Sequence, residues 1–378
     1  MDSFRSDSPE QAPEQQDGVV IIGGGIIGLS TAYSLALALQ NGRRPMPRIT
    51  IIESSDRLCP AASSQATGGL GDFGDNHTGF GGIISLTYQM HVDMAAQYNG
   101  EEVVYRLTPK GFTGSPSPSD GWGSENTPVP VPLSELPSWA RTSDDWEAQR
   151  LSTGPKGAHL DPTLFCPFLA ERVKELGVHV ELGANVTSVA MDHTKQRFSS
   201  VRIRKSSGST SVLPYAKVKL PMNSTNTAGN HMRIRMPDWN PNRKEKSVQV
   251  YYTNVTPGET RFDVTSFTNG DLYIGGWGAI PEEVPELATA IHAQPSEIEA
   301  MIPCVKRHVT VNPDKDLEYF NAGRCYRPTI IGPNRPIITK LDVDLLTKHE
   351  GPAPALQTSS SEDPLVVGGL VINTRAFQ

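Results

Sequence analysis

The sequence predicts an α/β protein in which a parallel sheet is combined with a second, mostly antiparallel sheet. Three observations support this fold class. A short apolar strand leads into a glycine turn and a helix, a second strand then completes a crossover, and short strands with turn signals fill the middle of the chain. The length of 378 residues suggests two or three domains.

The first unit is read from local patterns. Val19–Ile22 is an apolar run, which is typical of a strand that is buried on both faces. Residues 26–40 favour a helix, and Asn41 with Gly42 forms a natural stop. Arg48–Glu53 has the composition of a second strand. The order strand, turn, helix, strand predicts a βαβ crossover.

The rest of the chain is assigned more coarsely. Helices are predicted over 86–99, 163–176 and 295–302. Strands are predicted over 178–182, 186–191, 198–204, 210–213, 248–255, 262–267 and 272–274. Loops are predicted over 66–82, where seven of seventeen residues are glycine, and over 113–135, 221–247 and 349–364.

Composition limits the classes of partner. The net charge of -7 argues against nucleic acid or an anionic membrane surface as the main partner. No stretch reaches the roughly 20 unbroken apolar residues of a membrane span. Residues 1–17 are polar and lack the apolar core of a secretory signal, so we expect a disordered tail and a cytoplasmic protein. The four cysteines are scattered and form no C-x-x-C pair.

The turn after the first strand has the spacing G-x-G-x-x-G. Gly23 permits the tight turn, Gly25 lets the backbone approach a pyrophosphate, and Gly28 lets the helix pack on the sheet. The first helical residues, Ile26 and Ile27, offer free N–H groups to phosphates. These features indicate a dinucleotide site, although a glycine turn without a ligand is the alternative.

The second strand ends in an acidic residue, Glu53, followed by Ser54. A carboxylate at this place accepts both ribose hydroxyls and repels a 2′-phosphate. The site therefore suits NAD or FAD and disfavours NADP. These residues alone do not separate NAD from FAD, and an exposed acid at a strand end is the alternative for Glu53.

Several longer motifs extend the evidence beyond the glycine turn. They are VVIIGGGIIG at 19–28 with IIESS at 51–55, AASSQATGGL at 61–70, LTYQMHVDMAAQYNG at 86–100, HLDPTLFCPFLAERVKELGVHVELGANVTSV at 159–189, TNGDLYIGGW at 268–277 and CYRPTIIGPNRPII at 325–338. These motifs resemble those of the D-amino-acid-oxidase-type (DAO) FAD-dependent oxidoreductases, and within them a fungal branch. Together these motifs span most of the chain.

The resemblance implies a discontinuous Rossmann-like FAD-binding domain and a mostly antiparallel substrate domain. The expected boundaries are 18–80, 155–215 and 320–378 for the first, and 81–154 and 216–319 for the second. By resemblance, Glu53 holds the adenosine ribose and Val186 presents its backbone to the adenine. The residues that resemblance places along the pyrophosphate and flavin ring are Ser63, Ser64, Gly68 and Gly69.

The implied activity is oxidation of an amine or amino acid by hydride transfer to the flavin. Arg327, in the CYRPT motif, matches an arginine that binds the substrate carboxylate in relatives, and a guanidinium suits that task because it binds both oxygens. Cys325 lies near the position at which some relatives attach the flavin covalently, but a plain buried thiol is the expectation here. Histidines 77, 91 and 159 are not assigned as bases.

Two other functions stay open at this point. One is a catalytically inactive flavoprotein-like chain that acts by binding, and the other is an NAD-dependent dehydrogenase. The first is suggested by the chain end, because relatives continue after a glycine turn into a long helix, whereas this sequence has Gly368-Gly369 and stops at Gln378. We therefore expect impaired catalysis. No metal site is expected, and the substrate and the oligomeric state are not predicted.

Overall fold

The computed structural model describes most of the chain in segments. These are residues 18–71, 81–100, 105–107, 111–115, 129–141, 147–150, 157–192, 197–208, 210–211, 224–240, 247–252, 262–282, 285, 290–330 and 370–373.

Four helices and eighteen strands lie in these segments. The helices are α1 (Ile26–Asn41), α2 (Gly81–Gln97), α3 (Pro162–Glu175) and α4 (Pro295–His308). The strands are β1 (Gly18–Ile22), β2 (Arg48–Ile52), β3 (Gly69–Gly71), β4 (Tyr105–Leu107), β5 (Gly111–Ser115), β6 (Val129–Val131), β7 (Glu147–Arg150), β8 (Gly157–Leu160), β9 (His179–Glu181), β10 (Ala184–Asp192), β11 (Arg197–Lys205), β12 (Thr210–Ser211), β13 (Ser224–Arg235), β14 (Gln249–Tyr252), β15 (Phe262–Ser266), β16 (Asp271–Pro281), β17 (Tyr319–Ile330) and β18 (Leu370–Asn373).

The N-terminal unit is a sheet with the order β18-β1-β2-β9. Strands β1, β2 and β9 are parallel, whereas β18 pairs antiparallel with β1. Helix α1 buries the stripe Leu29, Ala32, Ala36 and Leu39, whose spacing matches the turn of a helix, and packs it with α3 over this sheet. The strand and helix bounds agree with the predicted βαβ crossover.

Helix α3 has clear signals at both ends. The Asp161 side chain caps its first turn by accepting the Thr163 N–H at 2.9 Å, and Pro162 occupies the first turn, where no N–H partner is needed. Beyond its last turn, Gly177 has a φ of +81°, which a glycine adopts without steric cost.

The second large unit is an eight-stranded sheet with the order β17-β13-β16-β15-β14-β5-β7-β6. All its pairings are antiparallel except β14 with β5. One face packs against α4 and forms an apolar core that includes Met232, Val250, Val264 and Ile274. The other face carries polar side chains. Two three-stranded sheets, β10-β11-β12 and β3-β8-β4, complete the described fold.

The predicted α/β class with an antiparallel second sheet is confirmed. Within the described residues, no helix is both long and apolar enough to cross a bilayer.

Three loop predictions are wrong in part. Residues 221–247 contain β13, a central strand of the large sheet, because its polar residues are paired by backbone hydrogen bonds on both sides. Residues 66–82 contain β3 and the start of α2, and residues 113–135 contain the end of β5 and all of β6. The predicted tail at 1–17, the linker at 349–364 and Gly368-Gly369 lie outside the described residues.

Candidate active site at the junction of the two sheets

The glycine turn lies between β1 and α1, and its geometry explains its composition. Gly23 has a φ of +99°, and its N–H donates to the Ile52 carbonyl at 2.9 Å. A Cβ on Gly28 would lie 2.0 Å from the Gly23 carbonyl oxygen, so α1 can approach β1 only because residue 28 lacks a side chain. A Cβ on Gly25 would lie 3.2 Å from the Ser63 hydroxyl oxygen.

The first turn of helix α1 has no negative side chain that would compete with an anionic ligand. Gly25 is its N-cap residue, so no side chain of the cap accepts the first N–H groups, and its first turn carries no acidic residue. Instead, Ser63 reaches across from the next segment and accepts the Ile26 N–H at 3.0 Å. The prediction of a free Ile26 N–H is therefore wrong, because Ser63 already accepts it, whereas the positive dipole end of the helix that the half-buried Ile26 and Ile27 begin can still attract an anion.

Glu53 lies just after β2 and is only 6% exposed. One carboxylate oxygen accepts the Gly24 N–H at 2.7 Å, and the other accepts the Ser55 N–H at 2.8 Å and the Ser54 hydroxyl at 3.2 Å. These donors hold the carboxylate against the glycine turn. A carboxylate offers about four lone-pair positions, so acceptor capacity is left for a ligand hydroxyl.

The segment from Ala61 to Gly71 packs against the glycine turn and the start of α1. Ser64 donates its hydroxyl to the Cys59 carbonyl at 2.8 Å, which stabilises the short 3-10 helix at 62–64. Gly68 has a φ of +76°, and a Cβ there would lie 1.9 Å from the Leu160 carbonyl oxygen. The exposed Gly69 pairs with His159 of β8. The four predicted contact residues 63, 64, 68 and 69 therefore lie in one continuous segment.

Val186 belongs to β10 and is half-buried against a small apolar cluster that includes Ile52, the residue before Glu53. The Glu53 carbonyl accepts the Ala184 N–H at 2.9 Å, which connects β10 to the end of β2. The structure thus brings Val186 to the same end of the parallel sheet as the glycine turn and Glu53.

A second group of residues lies opposite this segment, on what we call the polar face. This is the face of the eight-stranded sheet that carries His231, Arg233, Gln249, Asp263, Thr265, Tyr273 and Cys325. It contacts the 61–71 segment directly, because Tyr273 donates its hydroxyl to the Gln65 carbonyl at 2.8 Å. The Cys325 thiol also lies 3.6 Å from the Gln65 side-chain oxygen.

Gln249 connects the polar face to β8. Its Nε2 donates to the Asp263 carboxylate at 2.9 Å, which directs its Oε1 toward His159 Nε2 at 3.2 Å. His159 Nε2 must therefore carry the proton. Burial lowers the pKa of His159 although the Gln249 contact opposes this, so the ring is neutral. A Cβ on Gly69 would lie 2.8 Å from Gln249 Oε1, so this amide borders the glycine segment.

Arg327 lies on β17, where its backbone pairs with Thr227. It is two residues beyond Cys325 in a regular stretch of the strand, so it has the same position in the pleat. Its side chain lies outside the described residues, as do residue 77 and its surroundings.

Sequence reasoning missed Gln65, Gln249, Tyr273 and His231. Gln65 lies inside the quoted motif AASSQATGGL and Tyr273 inside TNGDLYIGGW, but neither motif indicated a role for these residues. The polar face meets the 61–71 segment only in the folded protein, since Tyr273 is 208 residues from Gln65.

Comparisons with known proteins agree with this architecture. Residues 18–356 match the family described as DAO, FAD dependent oxidoreductase. "Putative oxidoreductase TDA3" of Saccharomyces cerevisiae is 37% identical over 93 residues, which are 25% of this chain and 17% of the yeast protein. "Putative oxidoreductase C1F5.03c" of Schizosaccharomyces pombe is 27% identical over 183 residues, which are 47% of this chain and 44% of that protein. The matches thus span less than half of these curated relatives.

Solved structures share the fold at low identity. Glycine oxidase from Bacillus cereus superposes with a TM-score of 0.59 at 16% identity, over 83% of this chain and 85% of that chain. L-amino acid deaminase from Proteus myxofaciens gives 0.59 at 15%, over 90% and 86%. The FAD-bound L-alpha-glycerophosphate oxidase from Mycoplasma pneumoniae gives 0.57 at 14%, over 85% of each chain.

Proposed function

Because this chain belongs to the DAO family of FAD-dependent oxidoreductases, we propose that it oxidises an amine or amino acid, with FAD as its cofactor. The expected resemblance and the expected cofactor are confirmed by the family match, and NAD is thereby set aside. The finer statements, which are the substrate class, the site residues and the domain boundaries, are proposals.

The residues at the glycine turn fit FAD. The α1 N-terminus, the glycines without Cβ atoms and the buried carboxylate of Glu53 provide the anion site, the close approach and the hydroxyl acceptor that a dinucleotide needs. We propose that the adenosine diphosphate half of FAD is held by Gly23, Gly25, Ile26, Ile27, Gly28, Glu53, Ser54 and Val186. The residues that we propose along the pyrophosphate and the flavin ring are Ser63, Ser64, Gly68 and Gly69.

The two hydrophobic cores support a division into two domains. One core lies around β1, α1 and α3, and the other around α4 and the eight-stranded sheet. We propose the FAD-binding domain at 18–80, 155–215 and 320–378, and the substrate domain at 81–154 and 216–319. Strand β17 links the two by pairing with β13.

The observation that carries the proposed reaction is the polar face against the 61–71 segment. When bound there, FAD supplies the acceptor for a hydride. Arg327 would bind a substrate carboxylate through both oxygens and so orient the α-carbon. The neutral His159 and the fixed Gln249 amide would hold a polar substrate by hydrogen bonds without adding a second charge.

The names of the structural neighbours support an amine substrate but leave one rival. Glycine oxidase and L-amino acid deaminase act on amino acids, whereas a glycerophosphate oxidase acts on an alcohol. All are at or below 16% identity, so the likeness itself concerns the fold. A catalytically inactive chain that binds FAD is the second rival.

The proposal is tested with purified protein. We expect it to copurify with FAD and show flavin absorbance, and to bleach anaerobically with an amino acid but not with glycerol 3-phosphate. Arg327→Lys should slow bleaching by the amino acid far more than by its decarboxylated amine, because lysine keeps the charge but loses the two-oxygen contact. Arg324→Lys is the matched control, since Arg324 already pairs with Glu282 at 2.5 Å.

Each outcome decides between the candidates. Bleaching by glycerol 3-phosphate alone would favour alcohol oxidation. Stable flavin absorbance with no bleaching by any amino acid or amine would favour the inactive chain. Equal loss on amino acid and amine in Arg327→Lys would remove this residue from the carboxylate site while leaving the amine reaction intact.

A further inference from the structure

The loop between α1 and β2 presents cations and an apolar side chain to the solvent together. Residues 42–48 have the sequence GRRPMPR, and we call them the arginine loop. Arg43, Arg44 and Arg48 are all exposed, and Met46 between them is 43% exposed. Neither the candidate FAD site nor either hydrophobic core uses these four side chains.

The backbone of the arginine loop is fixed at both ends. The N–H groups of Arg43 and Arg44 donate to carbonyls in the last turn of α1, at 3.1 and 3.0 Å. At the other end, Arg48 begins β2 and pairs with Gly18 of β1. The prolines at positions 45 and 47 each fix one backbone dihedral between these points. Because the loop is already ordered, it would lose little conformational entropy on docking to a partner.

The charges of the arginine loop are not neutralised by the residues that the structure describes. None of its three guanidinium groups forms an ion pair within those residues. Helix α3 ends at the same edge of the sheet, because the strand that follows it, β9, runs parallel to β2. The acidic residues in its last turns pair with Lys174 and Arg172 of the same helix. This edge of the N-terminal unit therefore carries a net positive charge.

The overall charge of the chain does not cancel this local charge at close range. The net charge is -7, but at physiological ionic strength charges more than about 8 Å apart are largely screened from each other. A flat anionic surface that contacts the loop is therefore attracted by the arginines more than it is repelled by the distant acids. Arginine also suits phosphate groups, because its planar guanidinium can donate to two oxygens at once.

Met46 distinguishes between kinds of anionic partner. A soluble polyanion offers charged groups but no apolar phase, whereas a bilayer offers charged headgroups directly above its acyl chains. An apolar side chain flanked by cations matches the second arrangement, because the apolar group can enter the boundary while the cations stay among the headgroups.

We propose that the arginine loop is a docking surface for a membrane leaflet that contains anionic lipids. Arg43, Arg44 and Arg48 bind the headgroup anions, and Met46 enters the boundary between headgroups and acyl chains. The loop lies at the opposite end of α1 from the glycine turn, about 24 Å away for a helix of 16 residues. Docking therefore leaves the glycine turn uncovered, and this proposal does not depend on the proposed function.

The experiment measures the fraction of the 378-residue chain that sediments with large lipid vesicles. We expect binding to phosphatidylcholine vesicles that contain about one third phosphatidylserine, and no binding to phosphatidylcholine alone. Each arginine near such a surface contributes roughly fivefold in affinity, so Arg43→Glu with Arg44→Glu should weaken binding by at least about 30-fold. Raising the salt from about 0.1 M to about 1 M should abolish binding, because the screening length falls from about 10 Å to about 3 Å. Wild-type chain that stays unbound at the lower salt would overturn the proposal.

Arg204→Glu with Arg307→Glu is the matched control. It makes the same change in charge at exposed arginines of β11 and α4. Its vesicle affinity should stay close to that of the wild type, and a loss as large as that of the loop variant would mean that overall charge governs binding, against the proposal. The melting temperature and FAD affinity of the loop variant should also stay unchanged. A lower melting temperature with unchanged vesicle affinity would mean that the arginines only stabilise the negative end of the α1 dipole.

Met46→Ser tests the bilayer against a soluble acidic partner. It should weaken vesicle binding roughly three- to tenfold, because part of an apolar contact is lost. Its binding to polyglutamate, a soluble polyanion, should equal that of the wild type. Wild-type vesicle affinity in Met46→Ser, or tighter binding of the wild-type chain to polyglutamate than to vesicles, would overturn the membrane in favour of an acidic protein.

The N-terminal segment is the remaining occupant that the test must separate. Residues 1–17 carry five acidic residues and one arginine, and they join the fold at Gly18, which pairs with Arg48. In a further variant the five acidic residues are replaced by their amides. Vesicle binding that occurs only in this variant would mean that the N-terminal segment, and not a bilayer, covers the arginine loop. Binding by the wild-type chain, with the losses given above for the loop variants, supports the membrane.

Discussion

Arg233 and Asp161 form a buried two-pronged ion pair that joins the large sheet to the N-terminal unit. Both guanidinium Nη atoms contact the carboxylate, at 3.1 and 2.9 Å, and the side chains are 4% and 7% exposed. Asp161 also caps α3 through the Thr163 N–H. One carboxylate thus fixes the start of α3 and holds it against β13. Because α3 packs on α1, this pair connects the polar face to the glycine turn.

We predict that Asp161→Asn will strongly destabilise the protein. Asparagine keeps a good cap for α3 but leaves the Arg233 charge without its main partner, and such a loss typically costs about 3–5 kcal/mol. Asp161→Ala should cost about 1 kcal/mol more, because the cap is lost as well. The measurement is the free energy of unfolding in urea.

The double variant Asp161→Asn with Arg233→Met supplies the control. It removes the unpaired charge, so it should be more stable than Asp161→Asn alone. If the double variant is the less stable of the two, the pair contributes little and other contacts of Arg233, such as the Phe267 ring 4.6 Å away, dominate.

The stability of the folded protein should fall as the pH is lowered from 6.5 to about 4, because His231 is buried in its neutral form. Burial depresses the pKa of His231 from 6.5 to about 4, so the unfolded chain binds a proton in this interval and the folded chain does not. Stability therefore rises with pH between these values, by about 3 kcal/mol from this residue alone. The free energy of unfolding of apoprotein in urea should differ less between pH 4.5 and pH 7.5 in His231→Phe than in wild type. Equal differences in the two proteins would contradict a lowered pKa of His231.

At still lower pH, protonation of the Asp161 carboxylate reduces the stability of the protein. Burial opposes its ionisation, but hydrogen bonds from Arg233 and Thr163 outweigh that effect and hold its pKa below the usual value. Its contribution is fully present above the unfolded pKa of about 3.9 and is lost as the pH falls through the lower folded value. Asp161→Asn should therefore remove part of the wild-type loss of stability below about pH 4, as measured by urea unfolding.

Gly28→Ala should disrupt the glycine turn by steric contact alone. The new Cβ would lie 2.0 Å from the Gly23 carbonyl oxygen, which is backbone and cannot rotate away. We expect a loss of roughly 1–3 kcal/mol and a large fall in FAD affinity, because α1 must move away from β1. Gly177→Ala is the control, since it has a φ of +81° but no atom within 4 Å of the new Cβ. It should lose stability but keep its FAD affinity.

The parts of the fold that sequence patterns predicted are those that local patterns encode. The strand, glycine turn and helix from β1 to α1 follow from an apolar run and glycine spacing, and α3 follows from its cap and apolar face. Strand β13 was missed because its first half, STNTAGN, is polar and resembles a loop. It is a strand because β16 and β17 pair with it on both sides, which is a tertiary effect.

The candidate site divides in the same way. Its cofactor side was predicted because Gly23, Gly28 and Glu53 lie within one crossover. Its polar face was not, because strands far apart in the sequence form that face, and it meets the 61–71 segment only through tertiary contacts such as the hydrogen bond from the Tyr273 hydroxyl to the Gln65 carbonyl. Motif resemblance supplied Ser63 and Gly69 but gave no indication of what they would face.

Glu53→Gln should weaken FAD binding while leaving the fold intact. The amide keeps the shape of the side chain and one oxygen that can accept from Gly24 or Ser55, but it cannot serve both N–H groups and a ribose hydroxyl. Loss of a charge-assisted hydrogen bond costs about 1.5–3 kcal/mol, which is roughly a 10- to 150-fold fall in affinity. Glu181→Gln is the matched control, since Glu181 ends the neighbouring parallel strand β9 and pairs with Lys205 at 2.6 Å. Titration of FAD into apoprotein measures both variants. Equal affinities for Glu53→Gln and Glu181→Gln would mean that Glu53 only fixes the glycine turn, because its hydrogen bond to Gly24 would then serve the fold and not the ribose.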